Sequence, residues 1–171
     1  MKGIVKKIVF YSLITILIFS GQFLLNHGLK TGSPPIIKQP TLSGQDAMLR
    51  LSKGPAIIYF WAEWCGICKM MQPVISKIVL DYPVITVAVK SGSKGKVQAY
   101  LEDESLSWAV VNDPLGAIAE KYQTRGVPSV FFLDRHGEIT LTTTGYTSEI
   151  GLRLRLWLSD LFGSITSKAT T

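Results

Sequence analysis

Six consecutive apolar residues, AIIYFW at positions 56–61, lead within four residues into Cys65-Gly66-Ile67-Cys68. A run that is apolar at every position, with no alternation, belongs to a strand covered on both faces. Directly after it, Ile67, Met71, Val74, Ile75 and Ile78 recur at helical spacing through residues 66–80. A strand entering a helix through two cysteines three positions apart therefore puts Cys65 at a helix N-terminus. Unsatisfied backbone N–H groups and the positive end of the helix dipole stabilise a thiolate there, and a thiolate is the reactive form of the residue. Cys68 follows one helical turn later, on the inward side. The arrangement predicts two-step exchange, with Cys65 as the nucleophile and Cys68 as the residue that resolves the mixed disulfide.

The remaining segments alternate in type. Residues 43–52 can form a short helix and 84–89 a second buried strand; SGSKG, from residue 91, reads as a loop. A helix is expected over 97–104, a short strand over 108–111, and a helix over 114–122 with Pro114 in its first turn. Strands at 129–133 and 138–144 flank the turn Asp134-Arg135-His136-Gly137. A last helix over 148–162 carries Ile150, Leu154, Trp157, Leu158 and Leu161 on one face, which marks that face as the buried one. Residues 163–171 are expected to form a flexible tail. Strands alternating with helices, closed by a hairpin and a helix, specify an α/β fold: a central mixed sheet with helices on both faces.

The N-terminus has a different character. Residues 8–25 (IVFYSLITILIFSGQFLL) contain no charge, and Lys2, Lys6 and Lys7 precede them. As a helix, 18 residues span roughly 27 Å, close to a bilayer's hydrocarbon thickness. The lysine flank leaves residues 1–7 in the cytoplasm and exports the rest. A cleaved signal peptide shares that layout, but its apolar region is shorter and ends in a small-x-small site, which Ile18-Phe19-Ser20 matches poorly. The expectation is one retained transmembrane helix in the inner (cytoplasmic) membrane, with the folded domain in the periplasm or otherwise outside the cytoplasm. Residues 26–41, rich in glycine and proline, read as a spacer, and 42–162 as the domain. Without the three leading lysines the net charge of +6 reduces to 15 basic against 12 acidic residues, with no basic cluster among aromatics. No nucleic-acid partner is expected, and nothing calls for more than a monomer.

Other accounts of the cysteines compete. A lone CxxC can be simple packing. A structural zinc site needs four ligands, and the two histidines, His27 and His136, are both remote in sequence. Copper(I) can use two thiolates, and Met70 and Met71 follow closely, which makes a Cu(I)-binding module the alternative function. Methionines at those helical positions more often fill a core. No resident metal or cofactor is expected.

The stretch FWAEWCGICK, residues 60–69, is very similar to the active-site segment of thioredoxins. Pro73 falls where they have a helix proline, and Arg125-Gly126-Val127-Pro128-Ser129 looks like their cis-proline loop. The resemblance covers roughly residues 57–162. It implies a thioredoxin-like fold, a cis Val127–Pro128 bond beside the sulfurs, and a protein-disulfide oxidoreductase activity. It also implies a substrate-docking edge at Gly126, Val127 and Pro128, where a peptide pairs like an added strand, with Trp64 as an apolar rim. An extra helix and strand between residues 89 and 122, with the anchor, resemble the membrane-anchored TlpA/ResA-like branch. Within it the segments VKSG, VVND, TGYTS and GLRLRLWL are most similar to the suppressor for copper sensitivity protein D group. That likeness implies a link to copper tolerance, protein disulfide substrates, and reduction by a membrane electron-transfer partner. Two positions depart from the pattern: Tyr59 stands where thioredoxins carry a buried aspartate, and Met71 where ResA-like proteins carry a glutamate.

Overall fold

The computed structural model describes residues 6, 10–12, 14, 31–52 and 54–168. The expected cytoplasmic segment and transmembrane anchor lie almost wholly outside the described residues, as do residues 26–30 of the spacer and 169–171 of the tail. Among the described residues, no helix is long and apolar enough to cross a membrane.

Five strands form one sheet: β1 (Ala56–Trp61), β2 (Val84–Val89), β3 (Val110–Asp113), β4 (Ser129–Leu133) and β5 (Ile139–Thr144), in the order β3-β2-β1-β4-β5. The first three are parallel, while β4 pairs antiparallel with both β1 and β5. The sheet is therefore mixed, as the alternation of segments predicts. Among the described residues, five helices cover it: α1 (Ala47–Leu51), α2 (Gly66–Asp81), α3 (Lys94–Asp103), α4 (Ala117–Lys121) and α5 (Glu149–Lys168).

Strand β1 shows why an unbroken apolar run is needed. Ile57, Tyr59 and Trp61 point into a cluster with Met71, Ile75 and Ile78 of α2, Val97 and Leu101 of α3, and Leu152 and Leu156 of α5. Ala56, Ile58 and Phe60 point the other way, toward Ala47 and Leu51 of α1, Ile118 of α4, and Tyr122. All six residues of β1 are buried. Each large side chain so buried contributes roughly 1.5–3 kcal/mol, which makes β1 the spine of the molecule.

Several boundaries move for identifiable reasons. Helix α3 starts at Lys94, inside the expected SGSKG loop, because Ser93 caps it by accepting from the Lys96 N–H at 3.3 Å. Strand β3 begins at Val110 rather than 108. Trp108 leaves the strand line to pack edge-on against Tyr59 and Trp61 and to donate its indole N–H to Ser76 Oγ at 3.1 Å. Pro114 is not in a helix. The buried Asp113 carboxylate accepts the N–H groups of Ile118 and Ala119 (3.1 and 2.9 Å), Gly116 turns the chain at φ +80°, and α4 begins only at Ala117.

Three larger expectations are corrected. Residues 32–41 are not a free spacer. Gly32 pairs with Ile139 at the outer edge of β5, Ile37 is buried in the core, and the Tyr122 hydroxyl donates to the Pro35 carbonyl at 2.8 Å. The tail assignment fails from Gly163 to Lys168, because α5 continues to Lys168. The face of α5 that meets the core is Leu152, Leu156 and Ser159; Ile150, Leu154, Trp157 and Leu161 are exposed. The helix has apolar residues on both sides, so periodicity alone selected the longer stripe.

Candidate active site

Cys65 is the N-cap of α2, and its extended backbone (φ −88°, ψ 106°) is what lets strand β1 turn into the helix. Its Sγ accepts from the Cys68 N–H at 3.2 Å, so the sulfur takes the place of a capping oxygen and sits at the positive end of the helix. The two cysteines are joined as a disulfide, with Cα atoms 5.2 Å apart. Both are buried, and Cys65 is the more accessible at 7% against 2% for Cys68. That asymmetry matches an attacking residue and a resolving residue.

The loop before β4 comes to the same point. The Val127–Pro128 peptide bond is cis, as the resemblance implies, and the Val127 carbonyl oxygen lies 3.5 Å from Cys65 Sγ. The three residues proposed for the docking edge differ in what they can offer. The Gly126 carbonyl already accepts the Ser129 hydroxyl (2.7 Å), and the Pro128 carbonyl accepts the Gly145 N–H (2.9 Å). Pro128 has no N–H and is buried. Val127, half-buried, is the member of the three beside Cys65 Sγ.

Trp64 is exposed, and its indole N–H donates to the Lys90 carbonyl at 3.2 Å. Lys90 itself is held at φ +48° and lays its side chain across Gly116, where a Cβ would come within 2.9 Å of Lys90 Cε. Trp64, Lys90, Leu115, Thr124 and Val127 thereby line a groove of about 410 Å³, whose Val127 carbonyl lies 3.5 Å from Cys65 Sγ. Sequence reasoning found Trp64 and Val127 but missed Lys90 and Leu115. Their only sequence signal was that they flank the extra segment after β2.

That extra segment also grips α2. Gln72 donates to the Tyr100 hydroxyl at 2.7 Å, Lys69 lies 5.6 Å from the Tyr100 ring centre and 3.5 Å from Glu104, and Tyr100 stacks near Trp61. Glu63, the acidic residue nearest Cys65 in the sequence, is paired with Lys96 of α3. Tyr59 is fully buried with no partner for its hydroxyl among the described residues, and burial pushes its pKa up, so it stays neutral. Met70 is exposed while Met71 is buried among the core residues that include both cysteines. The two methionines therefore diverge and do not form one ligand set with the sulfurs.

The AhpC/TSA family matches residues 33–142, from the strand-paired N-terminal segment into β5, and this span contains both cysteines and the cis-proline loop. The chain belongs to the AhpC/TSA family. It is 38% identical over 110 residues to a thioredoxin-like protein of Haemophilus influenzae, a match covering 64% of this chain and 65% of that relative. The chain thus spans just under two thirds of that relative's length. It is 24% identical to the sporulation thiol-disulfide oxidoreductase A of Bacillus subtilis, over 74% of this chain and 80% of the other. Among solved structures, a secreted disulfide oxidoreductase of Mycobacterium tuberculosis, homologous to Escherichia coli DsbE, superposes with a TM-score of 0.61. At 24% identity it covers 72% of this chain and 96% of its own, which establishes the thioredoxin-like fold.

Proposed function

We propose that this chain is an extracytoplasmic protein thiol–disulfide oxidoreductase that works through Cys65 and Cys68. The observation that carries the reading is the position of Cys65 Sγ, capping α2 at 3.2 Å from the Cys68 N–H and 3.5 Å from the Val127 carbonyl. In the reductive direction the Cys65 thiolate attacks one sulfur of a substrate disulfide and releases the other as a thiolate, which takes up a proton. Cys68 then loses its proton and attacks Cys65 Sγ, and the second substrate sulfur leaves. The substrate gains two electrons and two protons, and the Cys65–Cys68 disulfide forms. With no carboxylate at position 59 or 71, the proton from Cys68 passes to water rather than to a buried acid.

An extended peptide beside Val127, with a side chain in the groove next to Trp64 and Leu115, suits a protein disulfide as substrate. The uncharged stretch 8–25 behind lysines supports a single-pass anchor with the domain outside the cytoplasm. The secreted M. tuberculosis neighbour is consistent with that compartment. Assignment to the TlpA/ResA-like branch and the suppressor for copper sensitivity protein D group rests on the sequence likeness, as do the copper link and a membrane electron-transfer partner.

Cys65→Ser should abolish reduction of insulin disulfides, whereas Cys68→Ser should accumulate a mixed disulfide with substrate. Exchange retained in Cys65→Ser would sink the reading. The direction is read in cells by acid quench and maleimide labelling. A mostly reduced pair in an oxidising compartment means that electrons are supplied, and a mostly oxidised pair points to an oxidant or to a reductase whose donor is absent under those conditions.

A further inference from the structure

We propose that the outward face of α5 lies on the lipid surface of the membrane to which the chain is anchored; this rests on the anchor reading above. Ile150, Leu154, Trp157 and Leu161 follow one another at i, i+4, i+7 and i+11, which places them on a single face. That face is open: Ile150 is 80% exposed and Trp157 61%, while Leu152, Leu156 and Ser159 on the other side fill the core. A contiguous apolar stripe with tryptophan at its middle is costly to leave in water and marks a contact surface. An indole with one apolar face and one N–H suits the headgroup boundary of a bilayer.

The path of the chain favours lipid as the occupant. Gly32 exchanges two backbone hydrogen bonds with Ile139 (2.9 and 2.8 Å) on the outer edge of β5. The next residue, Thr140, shares a hydrogen bond with Ser159 of α5 at 2.5 Å. Arg135, in the turn before β5, pairs with Asp160. The N-terminal segment therefore reaches the domain beside the C-terminal half of α5. Because residues 32–41 are packed on the fold, only six residues lie between Leu25, the end of the uncharged stretch, and Gly32. Fully extended, the stretch from Leu25 to Gly32 spans at most about 25 Å. The domain is held close to the bilayer, and the helix that carries the exposed apolar stripe packs on the strand that the tether joins. Seating α5 there, its apolar side sunk some 5–10 Å into the headgroup boundary, would also fix the orientation of the disulfide. Helix α2 is tied to α5 by Arg153–Asp81 and Lys77–Glu149.

The test uses the full chain reconstituted in phosphatidylcholine–phosphatidylglycerol vesicles, with and without bromine on the upper acyl carbons. Bromolipid should quench tryptophan emission, and Trp157→Phe should remove at least about half of that quenching, since Trp61 and Trp108 are buried. The exposed pair change Leu154→Glu with Leu161→Glu should reduce quenching equally while the chain still floats with vesicles after a carbonate wash. Carbonate-resistant flotation with no quenching, or with quenching unchanged in Trp157→Phe, overturns the contact but leaves the anchor standing. The same result with a dimer in sedimentation assigns the stripe to a second copy and also overturns it. Loss of the chain from vesicles in carbonate defeats the anchor reading and this inference together.

Discussion

Gly163 lies where α5 crosses the turn between β4 and β5, and there is no room for a methyl group. A Cβ would fall 2.1 Å from Asp134 Oδ2 and 2.6 Å from Asp134 Cβ. Asp134 cannot swing aside cheaply, because its Oδ1 accepts from the N–H groups of His136 (2.8 Å) and Glu138 (3.0 Å) and shapes the turn. Gly163→Ala is expected to cost about 1–3 kcal/mol, the usual range for overpacking, measured as a lower denaturant midpoint. An unchanged midpoint would mean that the end of α5 is not held against this turn. Cys65 is likewise defined by two partners, as a sulfur at the N-cap next to a carbonyl from a distant loop. The first, Cys68 N–H, is local and legible in the spacing. The second, Val127, lies 62 positions away and was reachable only through the resemblance of its loop to that of thioredoxins.

Between elements, the hairpin turn is fastened to α5 by the ion pair of Arg135 with Asp160. The Arg135 guanidinium holds the Asp160 carboxyl below its ordinary range, chiefly by hydrogen bonding. A carboxyl pKa that is lower in the folded chain than in the unfolded one adds stability above the unfolded value. That stability is lost as the pH falls through the folded value, so acid loosens this tie. Arg135→Met should raise the Asp160 titration midpoint followed by carboxyl carbon NMR; a midpoint that stays put would show that the pair does not form in solution. The same scale holds the main surprise of α5. With Ile, Leu or Trp on both sides of the helix, its 3.6-residue period fits two faces. The choice was made by Leu152 and Leu156, which fit against α2 and the sheet, and by Arg153, which pairs with Asp81 and Glu149.

For the whole molecule, protection should follow burial. Strands β1, β2 and β4 are buried throughout, whereas Thr140, Leu141 and Thr142 of β5 are half-exposed and α4 is one short turn. Native-state hydrogen exchange should therefore be slowest in β1, β2 and β4 and fastest in α4 and at the β5 edge. Equal protection across all five strands would argue against β1 as the spine. The sequence by itself determined the strand–cysteine–helix unit, the two other fully buried strands and the closing hairpin. Those features rest on short-range constraints: unbroken apolar runs, helical spacing and turn residues. Only the tertiary structure decided that residues 32–41 belong to the fold, that Lys90 and Leu115 border the groove, and which side of α5 is covered. Each of these depends on which distant surface is available to bury a side chain, and local periodicity carries no record of that.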